Sequence, residues 1–202
     1  MKRCLLIIGL LLCCSPAFAG GRGGVRIGMD WGYGLGMYSY WNLIYLDSEM
    51  GYVVQDQDSE MPANPYAFCT VSLGFEPTSW MGLSVFSGIM GVSKDRSLIP
   101  IGLQASILPR GNDAAGPVFC LGGGMALDTD FNPARAAFGI IGGGWRFRLN
   151  DAWNMDLLLR SRVLRDSPPI WDVDNRNYVE ESLIRKNLTV RGSLEIGVSI
   201  SF

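Results

Sequence analysis

The chain has 202 residues and not one histidine. A Ser/His or Cys/His nucleophile pair is therefore impossible, and the remaining carboxylates show no acid–base pair that stands apart from structural charge. The sequence predicts no enzyme and no resident cofactor. Long apolar runs are missing too. "WMGLSVFSGIMGV", "LIPIGLQASIL" and "PVFCLGGGMAL" are far shorter than the about 20 residues a membrane-crossing helix needs, and glycine and proline interrupt them. Charge is sparse at 18%, with a net of −2, which gives no footprint for nucleic-acid binding. In place of these, the chain has 26 glycines and a 48% hydrophobic fraction, so it is neither disordered nor strongly solvated.

The first residues read as an export signal: Lys2 and Arg3, then "CLLIIGLLLCC", then Ala17 and Ala19 at the small-residue positions of a cleavage site. The predicted organisation is a signal peptide over 1–19 and one domain over 20–202. Removing the signal takes two bases and no acid, which moves the net charge from −2 to −4. Cys4, Cys13 and Cys14 leave with it, and Cys69 and Cys120 remain.

The mature chain repeats one pattern, a segment of roughly ten residues with alternating polarity followed by a turn or a polar loop. Tilted transmembrane strands need ~9–11 residues and carry this dyad period. Eight strands are predicted, near 24–34, 66–76, 80–91, 98–108, 117–127, 136–149, 153–164 and 188–202. In the last, Leu188, Val190, Leu194, Ile196, Val198, Ile200 and Phe202 share one parity, and Thr189, Arg191, Ser193, Glu195, Ser199 and Ser201 share the other. Links after strands two, four and six read as short. Those after one and seven read as long, and those after three and five as moderate, which places both chain ends on the periplasmic side. Aromatic residues gather at two levels. Phe75, Trp80, Phe119, Trp145, Phe147, Trp153 and Phe202 are assigned to a periplasmic girdle, and Trp31, Tyr33, Tyr66 and Phe68 to an outer one.

An unpaired strand edge in lipid leaves backbone groups unsatisfied at several kcal/mol each, so strand eight must close on strand one. A soluble lipocalin-like barrel is the alternative. It would put the bulky parity inside, whereas here the other parity carries small residues and isolated charges. The predicted fold is all-β: an eight-stranded antiparallel up-and-down transmembrane barrel. Cys69 then faces lipid in the outer half of strand two, and Cys120 faces inward near the other end of strand five, too far apart to bridge.

With "LIPIGLQASILPR", "GPVFCLGGGMALD", "GIIGGGWRFRLND" and the terminal "IGVSISF" in view, residues 20–202 resemble the small outer-membrane β-barrel families of the OmpX/OmpA-like group. The resemblance implies outer-membrane localisation and a terminal strand, ending in Phe202, that the barrel-assembly machinery reads by strand pairing.

The inward parity collects Arg26, Asp30, Glu76, Arg146, Arg148, Asp156, Arg160, Arg162, Arg191 and Glu195. Eight strands enclose little more than side chains, so these charges are expected to form a salt-bridged plug; an ion or proton path is the other reading. The turn at Asn150 and Asp151 would set Arg146 opposite Asp156, and Arg160 or Arg162 would meet Glu195. Loop one, near 35–66, is acidic. Its "DQDSE" spaces carboxylates two apart but lacks the glycine and the full ligand set of a calcium loop, so no metal site is assigned. Tyr38, Tyr40, Trp41 and Tyr45 there, and Trp171 and Tyr178 in loop four, are candidate contacts for an extracellular protein or glycan, or extensions of strands above the membrane. The expected role is structural or surface recognition from the lipid bilayer. The rivals are a narrow channel and a membrane subunit of an envelope assembly.

Overall fold

The computed structural model describes residues 24–47, 51–93, 96–129, 136–172 and 177–202. The predicted signal segment lies outside them. The strands are β1 (Val25–Leu46), β2 (Val53–Glu60), β3 (Pro65–Thr78), β4 (Met81–Ser93), β5 (Arg96–Ile107) and β6 (Gly116–Asp128). They continue with β7 (Ala136–Arg148), β8 (Asn154–Asp166), β9 (Trp171–Asp172), β10 (Asn177–Tyr178) and β11 (Ile184–Ser201).

Eight of these, β1, β3, β4, β5, β6, β7, β8 and β11, pair with their neighbours in antiparallel register, and β11 closes on β1. The closure runs from Gly28↔Ser201 up to Tyr45↔Ile184. Ile27 and Phe202 exchange both backbone hydrogen bonds at 3.0 Å, so the sheet is sealed to its last residue. Among the described residues no helix is long and apolar enough to cross a membrane. Exposure follows the alternation. In β8 every second residue from Asn154 to Asp166 is buried, and the residues between them are exposed or half-buried. Leu73, Val85, Leu103, Leu121, Ile141, Leu159 and Ile196 form a continuous exposed apolar belt. Such an area has no place in water and matches acyl chains.

The turns at one end have local causes. Asn150 Oδ1 accepts the amides of Ala152 and Trp153, both at 2.8 Å, which closes the β7–β8 connection as a side-chain-capped turn. In the β5–β6 connection Gly111 sits at φ 94°, a conformation that favours glycine. That turn folds back on its neighbour: Asn112 donates its amide to Ser79 O and its side chain to Thr78 O.

Three sequence expectations need correction. Loop one is mostly strand: β1 continues to Leu46, across a bulge between Gly36 and Tyr38, and β2 pairs along it from Ser39↔Glu60 to Leu46↔Val53. Alternation alone could not show this, because the bulge switches the parity partway along β1. The link after the third predicted strand is not moderate; Ser93 pairs with Arg96, leaving two residues between β4 and β5. Tyr66 and Phe68 are buried in the lumen and do not belong to the outer girdle. They lie on the inward parity of β3, and that parity outweighs an aromatic's preference for the interface.

Candidate functional site: the filled lumen and its outer extension

The lumen has two unlike walls. Phe86, Met90, Leu98, Ala126, Ala136, Phe138, Ile140 and Leu164, mostly from β4 to β7, form one apolar cluster. The opposite wall, mainly β1, β3, β8 and β11, carries charge in layers. Near the chain ends Arg26 Nε meets Glu76 at 2.7 Å, and Arg146 grips Asp156 with two bonds of 2.7 Å from directly opposite positions on β7 and β8. Beside this layer Leu108, Val118 and Leu158 pack as a small apolar floor.

In the middle layer Arg160 reaches past β11 to bond Asp30 on β1. Gly197 makes the reach possible: a Cβ there would lie 2.9 Å from the Phe68 ring and 3.2 Å from both Arg160 Nη2 and Asp30 Oδ1. Arg160 lies over the Phe68 ring, 4.8 Å from its centroid, and Arg162 is 5.7 Å from it. Glu195, 1% exposed, takes Arg162 Nη2 at 2.8 Å and the Tyr66 hydroxyl at 2.8 Å; Tyr66 is also 2.6 Å from Ser193 Oγ. The outer layer centres on Asp166, which is fully buried and bonded by Arg96 and by Arg191, the latter at 3.0 Å. Arg96 also lies 3.7 Å from Asp128.

Among the described residues six arginines (26, 96, 146, 160, 162 and 191) thus face six carboxylates (30, 76, 128, 156, 166 and 195). The filling is charge-balanced and presents no field of one sign to a passing ion. Cavities of about 80, 30 and 250 Å³ lie at the inner end, the middle and the outer mouth. The charged layers and Phe68 lie between them.

One assigned lumen residue is misplaced. Arg148 is half-exposed at the rim, donating to Asp113 O and pairing with Asp151 at 2.7 Å. It has the inward parity but lies where the wall ends. Asp166, Arg96, Tyr66 and Phe68 are lumen residues that sequence reasoning missed. A signal existed for Asp166, since the even parity of β8 runs on to it, but "RDSPP" reads as loop. Cys69 and Cys120 are free thiols, half-buried and buried respectively.

Above the barrel β2, β1 and β11 form a three-stranded extension. The parity that continues the lumen holds Ser39, Trp41 and Tyr45 on β1, with Asp56, Asp58 and Glu60 on β2. Trp41 Nε1 donates to Asp56 at 3.1 Å. The "DQDSE" carboxylates are therefore on a strand, and among the described residues no cluster of three potential ligands is arranged for a metal. Tyr38 and Tyr40 lie on the opposite, lipid-continuing parity. Trp171 and Tyr178 pack edge to face, 5.0 Å apart, on the small β9–β10 hairpin. Phe202 stacks on Trp153 at 4.7 Å beside the closing seam.

No family model and no curated relative matches the chain. Among solved structures it is similar to the outer membrane protein OprG from Pseudomonas aeruginosa, with 14% identity, covering 92% of this chain and 99% of that one, at a TM-score of 0.49. It is also similar to Neisserial surface protein A (14%, 88% and 97%, 0.43) and to Ail, the attachment invasion locus protein of Yersinia pestis (11%, 90% and 100%, 0.35). The count of eight strands, the β1–β11 closure, the apolar belt and the filled lumen give this chain the architecture of the small outer-membrane β-barrels.

Proposed function

We propose that the protein is an outer-membrane surface-recognition scaffold, with its chain ends in the periplasm and its β1–β2–β11 extension displayed outside. The observation that carries this reading is the extension itself: among the described residues β2 is the end strand of the sheet and pairs with β1 alone, and it is exposed along nearly its whole length. An end strand of this kind offers backbone donors and acceptors to an extended partner, with Asp56, Asp58 and Glu60 selecting a basic one. The same acids oppose pairing with β2 of a second copy. Terminal-strand recognition by the assembly machinery, through Phe202, belongs to this proposal as the route of insertion.

The test uses the refolded full chain in nanodiscs with two eight-residue peptides, one alternating Lys and Val and the other Glu and Val. The basic peptide is expected to bind, and to lose affinity in the Asp56→Asn/Asp58→Asn/Glu60→Gln variant. Equal binding of both peptides, or of neither, would refute the reading. The channel reading finds no support in the filled lumen; single-channel steps of wild-type protein in planar bilayers would restore it.

A further inference from the structure

The 250 Å³ cavity at the outer mouth is a cup closed below by the Tyr66, Glu195 and Arg162 layer. Its two sides differ. One is apolar, with Met90 and Val92 from β4 and Leu164 from β8. The other is polar, and its nitrogen groups are donors with capacity left over. Arg162, 5% exposed, has an Nε with no hydrogen-bond partner. Arg191 spends Nη1 on Asp166 at 3.0 Å, keeps its side chain 26% exposed, and lines the cavity. Glu195, in the layer beneath, is enclosed and held by Arg162, and Asp166, one step further out on β8, is fully buried and held by Arg96 and Arg191, so neither carboxylate is exposed to an anion in the cup.

We propose that this cup binds a small aliphatic carboxylate, the acid group against Arg191 and Arg162 and the hydrocarbon body against Met90, Val92 and Leu164. A guanidinium takes a carboxylate with paired, charge-assisted bonds, and the opposite wall supplies the apolar contact that an inorganic anion cannot use. The volume suits a body of a few carbons. The carboxylate belongs equally to a simple branched acid and to an amino acid. Glu60, which lines the same cavity at its rim, is where an ammonium group would add contact. The cup is a dead end, so the inference is one of binding and not of passage.

The experiment follows the methionine methyl spectrum of the full chain in nanodiscs, with the Met90 signal as reporter, during titration with 4-methylpentanoate, leucine and 3-methylbutylamine. Saturable shifts with the acid, with or without leucine, and none with the amine are expected; binding of leucine as well assigns the amino acid source. Arg191→Gln should weaken binding about tenfold or more, the worth of one charge-assisted contact. Arg165→Gln, on the lipid-facing parity, should leave it unchanged. Because Arg191 also holds Asp166, Val92→Trp is the second variant: it fills the cup from the apolar side, touches no salt bridge, and should abolish the shifts. The proposal is overturned if no compound shifts Met90, if the amine binds as tightly as the acid, or if both variants titrate like wild type.

Discussion

The two walls of the lumen obey the same alternation and are held together by different physics. On the β4–β7 side, the central inward residues pack as hydrocarbon between the charges Arg96, Asp128 and Arg146 at the two ends, and each contributes through contact and volume. On the β8–β11–β1 side, inward residues are ions in a space with almost no solvent, and each depends on its partner. A charge removed there does not leave a gap of one side chain's worth; it strands its counter-ions. The apolar wall should therefore respond gradually to substitution and the charged wall abruptly.

The largest effect is expected at the centre of the charged wall. Glu195→Ala leaves Arg162 unpaired and takes one of the Tyr66 hydroxyl's two partners, with Ser193 remaining. It should cost ~3–5 kcal/mol, read by urea unfolding in lipid or by loss of the heat-modifiable folded band. A change under 1 kcal/mol would mean that the layer is wet and the contrast false. Next comes the Arg146–Asp156 pair. Asp156→Leu alone should cost nearly as much, while the double variant Arg146→Met/Asp156→Leu should recover most of the loss, because two apolar groups of similar size replace a buried pair at little cost. A double variant no more stable than the single would show that Arg146 is held by other groups. On the apolar wall, Ile140→Val should lower stability by only ~0.5–1.5 kcal/mol, a graded response to one lost methylene. The smallest effect belongs to the rim. Arg148→Ala should change stability by ~0–1 kcal/mol, since its pair with Asp151 is solvated. A larger loss would move Arg148 functionally into the lumen.

Much of this contrast was readable beforehand. The parity of 156, 160 and 162 put Asp156, Arg160 and Arg162 inside, and the short Asn150 turn set the register that brings Arg146 opposite Asp156. Other pairs were not readable, because their partners come from strands apart in sequence and the reach depends on what stands between. Asp30 and Arg160 are separated by β11, and they meet across it because residue 197 is glycine. Tyr66 was misassigned for a related reason. An aromatic at strand height is equally consistent with a girdle and with a lumen, and its hydroxyl's partners, Glu195 and Ser193, lie about 130 residues away. The extension was hidden by the bulge after Gly36, which reverses the parity that marked the strand below it.

By itself the sequence determined the strand count, the outward belt and the presence of charge on the inner parity. Alternation is a local property, and lipid permits no open edge, so closure followed without knowledge of any contact. Only the tertiary structure decided which ions pair, that they divide into layers against an apolar half, and that the strands of loop one rise past the mouth to leave a cup beneath them. These depend on shear, on bulges and on side chains reaching over a neighbouring strand, and local sequence pattern does not encode such distances.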